Sequence, residues 1–349
     1  MRLSIPRRRS RRLLLVGAGA LVVVLVIVVV LVRPGAQRPP TSRLPLRAAG
    51  EVALPGDNSR FDYASLDAAR GLMFLAHLGA SEVIEVDVHT QRVVRTIPNL
   101  PDVHGVLVVP ALHRVYATAT GANQMVALDE DTGQPITRAA TGDYPDGMAY
   151  DPRRGAVWTT NETGGSETVI DAANGTVRGT VVLGGEAGNV AYDPVTDRML
   201  VAVQGRDQVA VIDPASLAVQ RWLGLPGCDH DHGLVLDAAD RMAFVACDGN
   251  ATLLTVNLTT GRVTGTNPVG ADPDVLAFDP GTGWLYVAAE SGDVAVLGWR
   301  EHRLSGLGLG HLADGAHVVA LDPGTHDSYF PVPAGVDGRP TLLERAPVQ

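Results

Sequence analysis

Ala277-Phe278-Asp279-Pro280-Gly281-Thr282-Gly283-Trp284-Leu285-Tyr286-Val287-Ala288 decides the fold, because the same arrangement recurs along the chain. An apolar residue precedes an aspartate, a turn follows, and seven residues after the aspartate an aromatic or apolar residue opens a hydrophobic run. Copies run from Leu66-Asp67 to Phe74, Val109 to Tyr116, Tyr150-Asp151-Pro152 to Trp158, Tyr192-Asp193-Pro194 to Leu200, Leu236-Asp237 to Phe244, and Leu321-Asp322-Pro323 to Tyr329. The anchor positions 67, 109, 151, 193, 237, 279 and 322 lie 42, 42, 42, 44, 42 and 43 residues apart, the period of a four-stranded propeller blade. Seven copies predict seven blades.

Each unit divides into four short alternating runs separated by turn residues; in the fourth they are Val190 to Tyr192, Met199 to Val203, Gln208 to Ile212 and Ala218 to Leu223. No helical period is present after residue 33. The seventh unit supplies only three strands, the last at about Pro340 to Arg345, and an open sheet edge is a liability. Glu51 to Leu54 stands immediately before the first unit, where outer strands such as Arg92 to Ile97 stand elsewhere. It is expected to complete the seventh blade and close the ring. The reading is an all-β, seven-bladed β-propeller over residues 46–345, its N-terminal strand closing the last blade, with a tail at 346–349.

Composition narrows the class. With 46% hydrophobic residues among 349, the chain is too apolar for disorder, and two cysteines exclude a disulfide-framework scaffold. All 28 basic residues are arginine, so Schiff-base chemistry and a P-loop are excluded. Residues 1–47 hold ten of those arginines and no acid; the rest carries 18 against 38 acids, a net charge of −20. Such a body repels phosphate backbones, and no nucleic-acid partner is expected.

Arg7, Arg8, Arg9, Arg11 and Arg12 precede Leu13 to Val32, twenty uncharged residues that at helical rise span roughly 30 Å, a bilayer core. The expectation is a cytoplasmic basic segment at 1–12, one transmembrane signal anchor at 13–32 and a Pro-rich linker at 33–45. The positive-inside rule then places the N-terminus in the cytoplasm and the body outside it. Ser10-Arg11-Arg12-Leu13-Leu14-Leu15 also resembles a twin-arginine export signal.

Over residues 46–345 the repeats resemble the YVTN/YncE-like family of bacterial seven-bladed propellers. Trp158-Thr159-Thr160-Asn161 approaches the eponymous Tyr-Val-Thr-Asn, and Leu285-Tyr286-Val287-Ala288-Ala289 and Asp171-Ala172-Ala173-Asn174-Gly175-Thr176-Val177 resemble its other repeat elements. The resemblance implies the fold and not an activity, since propellers of this shape include lactonases, haem domains and plain binding modules. Four tryptophans are too few for tryptophan-docked quinoprotein blades, so no PQQ is expected. Gly306-Leu307-Gly308-Leu309-Gly310 has no helix after it, so no NAD is expected either.

Superposing the repeats gives the residue that each blade places at one spatial position. Five before the anchor stand Asp62, His104, Asp146, Gly188, His232, Asp274 and His317, expected to ring the channel mouth. Ten or eleven after it stand His77, Glu162, Gln204, Asp248 and Glu290, a second polar tier on the same face. Imidazole and carboxylate converging across a narrow channel are what a divalent transition metal selects. His104, His232 and His317 are the candidate metal ligands, and the other ring and tier residues are candidate contacts for a small molecule, peptide or protein. Propeller channels are also wet, and strand starts take Asp and His as turn groups, so a solvated channel is the plain alternative.

Cys228 and Cys247 are 19 positions apart in one hairpin. A disulfide fastening the loop with His230 and His232 is the expectation for an exported body, with thiolate metal ligation as the competitor. Asp129-Glu130-Asp131-Thr132-Gly133 opens like a calcium loop but reads as an outer hairpin turn. The expected function is a membrane-anchored, extracytoplasmic ligand-binding or interaction module acting through its channel mouth. The alternative is a metal-assisted, lactonase-like hydrolase using the same residues; no nucleophile or dominant acid–base pair stands out, and the reading leans away from an enzyme.

Overall fold

The computed structural model describes residues 41–348, which form seven four-stranded antiparallel sheets. The expected span at 13–32, with its flanking segments up to residue 40, lies outside the described residues. Among those described, no helix is long and apolar enough to cross a membrane.

Blade two shows the plan: Val103–Val109 innermost, then Arg114–Ala119, Gln124–Asp129 and Pro135–Ala140 outward. The inner strands of the other blades are Ala64–Asp67, Pro145–Asp151, Val190–Asp193, Asp231–Asp237, Pro273–Asp279 and Ala320–Leu321. Each inner strand touches the next around the ring, the seventh returning to the first.

The repeat is legible in the packing. The residue seven after each anchor, among them Phe74, Tyr116, Trp158, Phe244 and Tyr286, is fully buried, each contributing roughly 1.5–3 kcal/mol by leaving water. The described residues form seven hydrophobic clusters, one between each pair of adjacent blades. The anchor aspartate closes the turn between first and second strands: Asp67, Asp151, Asp193, Asp237, Asp279 and Asp322 each accept the N–H two residues on, at 2.7–3.1 Å. Such a carboxylate offers the backbone a turn in place of a ladder bond. The second blade lacks the aspartate and turns instead through a short 3-10 segment at Pro110–Leu112.

The ring closes as expected, through a longer strand. Leu46–Ala53 pairs antiparallel with Thr341–Pro347, placing Val52 and Leu54 in the cluster between blades seven and one. Before it, the chain lies along the outer strand of blade six: the Ser42 N–H donates to the Leu309 carbonyl at 2.6 Å, and the Leu309 N–H to Ser42 Oγ at 3.1 Å. Gly308 permits this approach, since a Cβ there would stand 2.6 Å from Pro45 Cδ and 2.7 Å from the Arg43 carbonyl oxygen. The glycine run that fails as a dinucleotide loop is the seat of this segment.

Deleting residues 1–40 is expected to leave a cooperatively melting propeller, whereas deleting 1–54 should lower the melting temperature and promote self-association through the bared Thr341–Pro347 edge. Equal melting of the two truncations, followed by circular dichroism, would contradict closure by this strand.

Candidate functional site

The mouth residues sit where they do because the inner strands bulge at their entry. The pairing of first with second strands shifts between Val103 and Val106, Pro145 and Met148, Asp231 and Leu234, and Pro273 and Leu276. His104, Asp146, His232 and Asp274 fall within these irregularities, which re-aim a side chain out of the pleat. The backbone crowds here: a Cβ on Gly233 would meet the Asp274 carbonyl oxygen at 2.3 Å, so only glycine lets the next blade's ring residue come so near.

A cavity of about 790 Å³ opens at this mouth. Asp62, His104, Asp146, His232 and Asp274 line it, with Glu162, Gln204, Asp248 and Glu290 from the second tier. His77 does not line it. That ring is fully buried, stacked on Phe61 at 4.3 Å and held by Ser59 and Glu82. His317 lies behind the wall, 2% exposed.

Eight lining residues are carboxylic acids and one, Arg60, is a permanent cation, so like charges at short range must be relieved. Burial, together with the charges of Asp146 and Asp274, pushes the Asp62 carboxyl well above its ordinary value. Burial lifts Asp146 to about 6 and raises Glu162 also. Burial alone would lift Asp274 too, but the hydrogen bond from His232 Nε2, at 3.2 Å, outweighs it and holds the carboxyl low. The same bond overcomes desolvation of the His232 ring and raises it to about 10. His232 and Asp274 are therefore an ion pair, with Asp62 raised beside it.

Three neighbours complete the mouth. The Tyr63 hydroxyl accepts from Asn189 Nδ2 at 2.5 Å and donates to Asp146 at 3.4 Å, reaching from blade one to blades three and four. Tyr144 lies 3.0 Å from His104 Nε2. The Arg60 guanidinium stands 2.5 Å from Glu290, 3.7 Å from Asp274 and 4.0 Å from Asp62.

The three candidate imidazoles do not form one ligand set. His104 donates from Nδ1 to the Asp102 carbonyl at 2.8 Å and meets Tyr144 at Nε2. His232 is held between Asp274 and the Gln204 amide. His317 differs. Its Nε2 lies 2.9 Å from the Phe61 carbonyl oxygen, which can only accept, so Nε2 carries a proton and, in the neutral ring, the lone pair is on Nδ1. That Nδ1 is buried without a hydrogen-bond partner, 3.6 Å from a Glu290 oxygen. One nitrogen of His317 and one oxygen each of Asp62 and Asp274 lie within 4.8 Å of one another. A carbonyl fixing the far N–H is how a ligating histidine is oriented.

Arg60, Tyr144, Asp102 and Asp272 escaped the sequence reading, and His230 was named there only with the cysteine loop. They occupy the position seven before the anchor, which reads Arg60, Asp102, Tyr144, Glu186, His230, Asp272 and Gly315. The same superposition moved two residues upstream finds them. Asp102, Tyr144, His230 and Asp272 take positive φ of 47°, 59°, 67° and 53°, a backbone state that is uncommon for such residues.

Cys228 and Cys247 are disulfide-bonded, Cα atoms 5.4 Å apart, as expected. The Asp129 segment is a turn, Asp129 accepting from the Thr132 N–H at 2.9 Å. Asn161 of the Trp158–Asn161 string is fully buried and accepts the Gly142 N–H at 2.8 Å, so that string is structural.

No family model and no curated protein matches the chain in sequence. Its fold is similar to a chain of Kuenenia stuttgartiensis hydrazine synthase, at 15% identity and a TM-score of 0.70, over 80% of this chain and 94% of that one. It is also similar to U3-55K, at 12% and 0.72, over 85% and 98%, and to the WD40 repeats of RRP9, at 12% and 0.71, over 86% and 99%. At these identities the likeness shows the seven-bladed propeller fold alone.

The buried acids fix the sign of the pH dependence. Asp146 at about 6, Asp231 at about 7 and Glu167 at about 8 hold protons in the folded chain that an unfolded one releases, so stability falls as pH rises through these values. His232 acts in the same direction, its contribution complete below its ordinary 6.5 and lost toward about 10. His104, lowered by burial, opposes this only below about 6.5, and Asp274 loses its contribution only as pH falls through its depressed value. With chelator present, the melting temperature should rise as pH drops from about 8 to about 5.5, and less steeply for Asp146→Asn. A flat or falling melting temperature over that interval contradicts the assignment.

Proposed function

We propose that the chain is a ligand-binding propeller held outside the cytoplasmic membrane by the 13–32 span, with a divalent transition-metal cation at its channel mouth. One observation carries the reading: His317 Nδ1 is buried without a hydrogen-bond partner, and one nitrogen of this ring lies within 4.8 Å of a carboxylate oxygen each of Asp62 and Asp274. A buried acceptor left unmatched costs roughly 1–3 kcal/mol, and a cation satisfies it while discharging the repulsion among Asp62, Asp146 and Asp274. Two carboxylates and an imidazole suit zinc, manganese or cobalt. Arg60 is a tethered counter-ion at the same carboxylates, and it yields its place when the cation enters. Space beyond the cation is lined by Tyr144, Gln204 and Glu162, polar groups for a small molecule or peptide.

A second reading, a lactonase-like metal-assisted hydrolase, is favoured by Asp146. Lifted to about 6, it is suited to take a proton from water near neutral pH. A cation there supplies polarisation of a carbonyl.

The test is titration of the chelator-stripped full chain with zinc and manganese, by calorimetry and elemental analysis. His317→Ala and Asp274→Asn should weaken binding by more than the roughly 10- to 100-fold that loss of an outer-sphere partner costs, while Arg60→Gln should strengthen it. Absence of a bound cation in both wild type and Arg60→Gln would defeat the proposal. Hydrolysis of lactones that requires both the cation and Asp146 would select the enzyme reading.

A further inference from the structure

A corner between blades four and five carries cation chemistry that the channel mouth does not use. Ligand atoms of Asp207, Cys228 and Asp231 lie within 4.8 Å of one another. Asp207 closes the short 3-10 turn Gln204–Arg206 in blade four, and its Oδ1 accepts the His230 N–H at 2.7 Å. Asp231 opens the inner strand of blade five and is wholly buried. Its Oδ2 accepts the Val203 N–H at 3.0 Å, while its Oδ1 has no hydrogen-bond partner.

What the corner lacks is a third strong ligand, because the thiolate and not a disulfide sulfur binds metal. The Cys228 sulfur is tied to Cys247, which lies wholly buried in the cluster between blades four and five. We infer that reduction of Cys228–Cys247 converts this corner into a zinc-type cation site, with the Cys228 thiolate and the Asp207 and Asp231 carboxylates as ligands. The reductant is a small dithiol. Its sulfurs break the Sγ–Sγ bond through a mixed disulfide and supply two electrons, and it leaves as its own cyclic disulfide. Cys228 and Cys247 each gain a proton; cation binding then sends the Cys228 proton to solvent. Thiolate with carboxylate suits zinc or cobalt over magnesium or calcium. The disulfide and the cation are thus alternative cross-links for one loop, selected by redox state.

Cobalt(II) is the probe, because sulfur ligation gives a thiolate-to-cobalt charge-transfer band in the near ultraviolet that the sulfur-free channel mouth cannot produce. The full chain carrying Cys247→Ser leaves Cys228 a free thiol without added reductant. It should develop the band, saturating at a single equivalent. Oxidised wild type should show none, and wild type reduced with a dithiol and then desalted should match the variant. Adding Asp231→Asn or Asp207→Asn to Cys247→Ser should each weaken cobalt binding at least about 10-fold. The inference is overturned if reduced wild type, shown by thiol titration to carry two free thiols, develops no band. A band of full strength in both carboxylate variants overturns it equally.

Discussion

Seven inner strands converge on one axis, and that geometry gathers copies of a single sequence position around one mouth, His232 and Asp274 within 3.2 Å and His104 and Asp62 within 3.8 Å of each other. A residue that is harmless at one strand entry becomes a problem of electrostatics when its relatives face it across a narrow space. Asp62, Asp146 and Asp274 are such relatives, and they cannot all ionise in a mouth whose single permanent cation is Arg60. The protein relieves the conflict by pairing Asp274 with His232, while burial and the neighbouring carboxylates push Asp62 up and burial lifts Asp146 to about 6. Chemistry at the mouth is therefore a consequence of packing. The interblade cores press the strands together, and the polar ring must arrange its charges to suit.

The fold was legible because period and burial share one cause. Each blade must bury a large side chain against its neighbour, so Phe74, Tyr116, Trp158, Phe244 and Tyr286 recur at a fixed offset from an aspartate that shapes the preceding turn. A pattern copied seven times survives variation in any one copy, which is why blade two reads clearly without its aspartate. The closing strand was legible for a different reason: a three-stranded last unit leaves an edge that only an upstream segment can fill.

The site was legible only in part. Superposed repeats placed Asp62, Asp146, His232 and Asp274 together, since alignment of strands fixes where side chains begin. It does not fix which way a ring turns or what it meets. His104, His232 and His317 look alike in sequence, yet one is spent on a carbonyl and Tyr144 and one on Asp274 and Gln204. One keeps a free lone pair because Phe61 happens to present a carbonyl behind it. His77 was placed in the second tier by the same alignment, but the aromatic face of Phe61 and the Ser59 and Glu82 side chains claim it. The cysteine pair was legible from spacing; the carboxylates gathered beside Cys228 come from two blades and left no local trace.

The segment lying on Gly308 has a mechanical meaning. Two different sheets grip the chain in succession, first blade six through Ser42 and Leu309, then blade seven along Leu46–Ala53. Tension applied from the N-terminal side meets the blade-six clamp before it reaches the strand that closes the ring. The closing strand would then be loaded lengthwise, with its bonds sharing the force, and not unzipped one pair at a time from its free end. The glycines of blade six thus give the closing strand a second anchorage on its N-terminal side, in a different sheet from the one it completes.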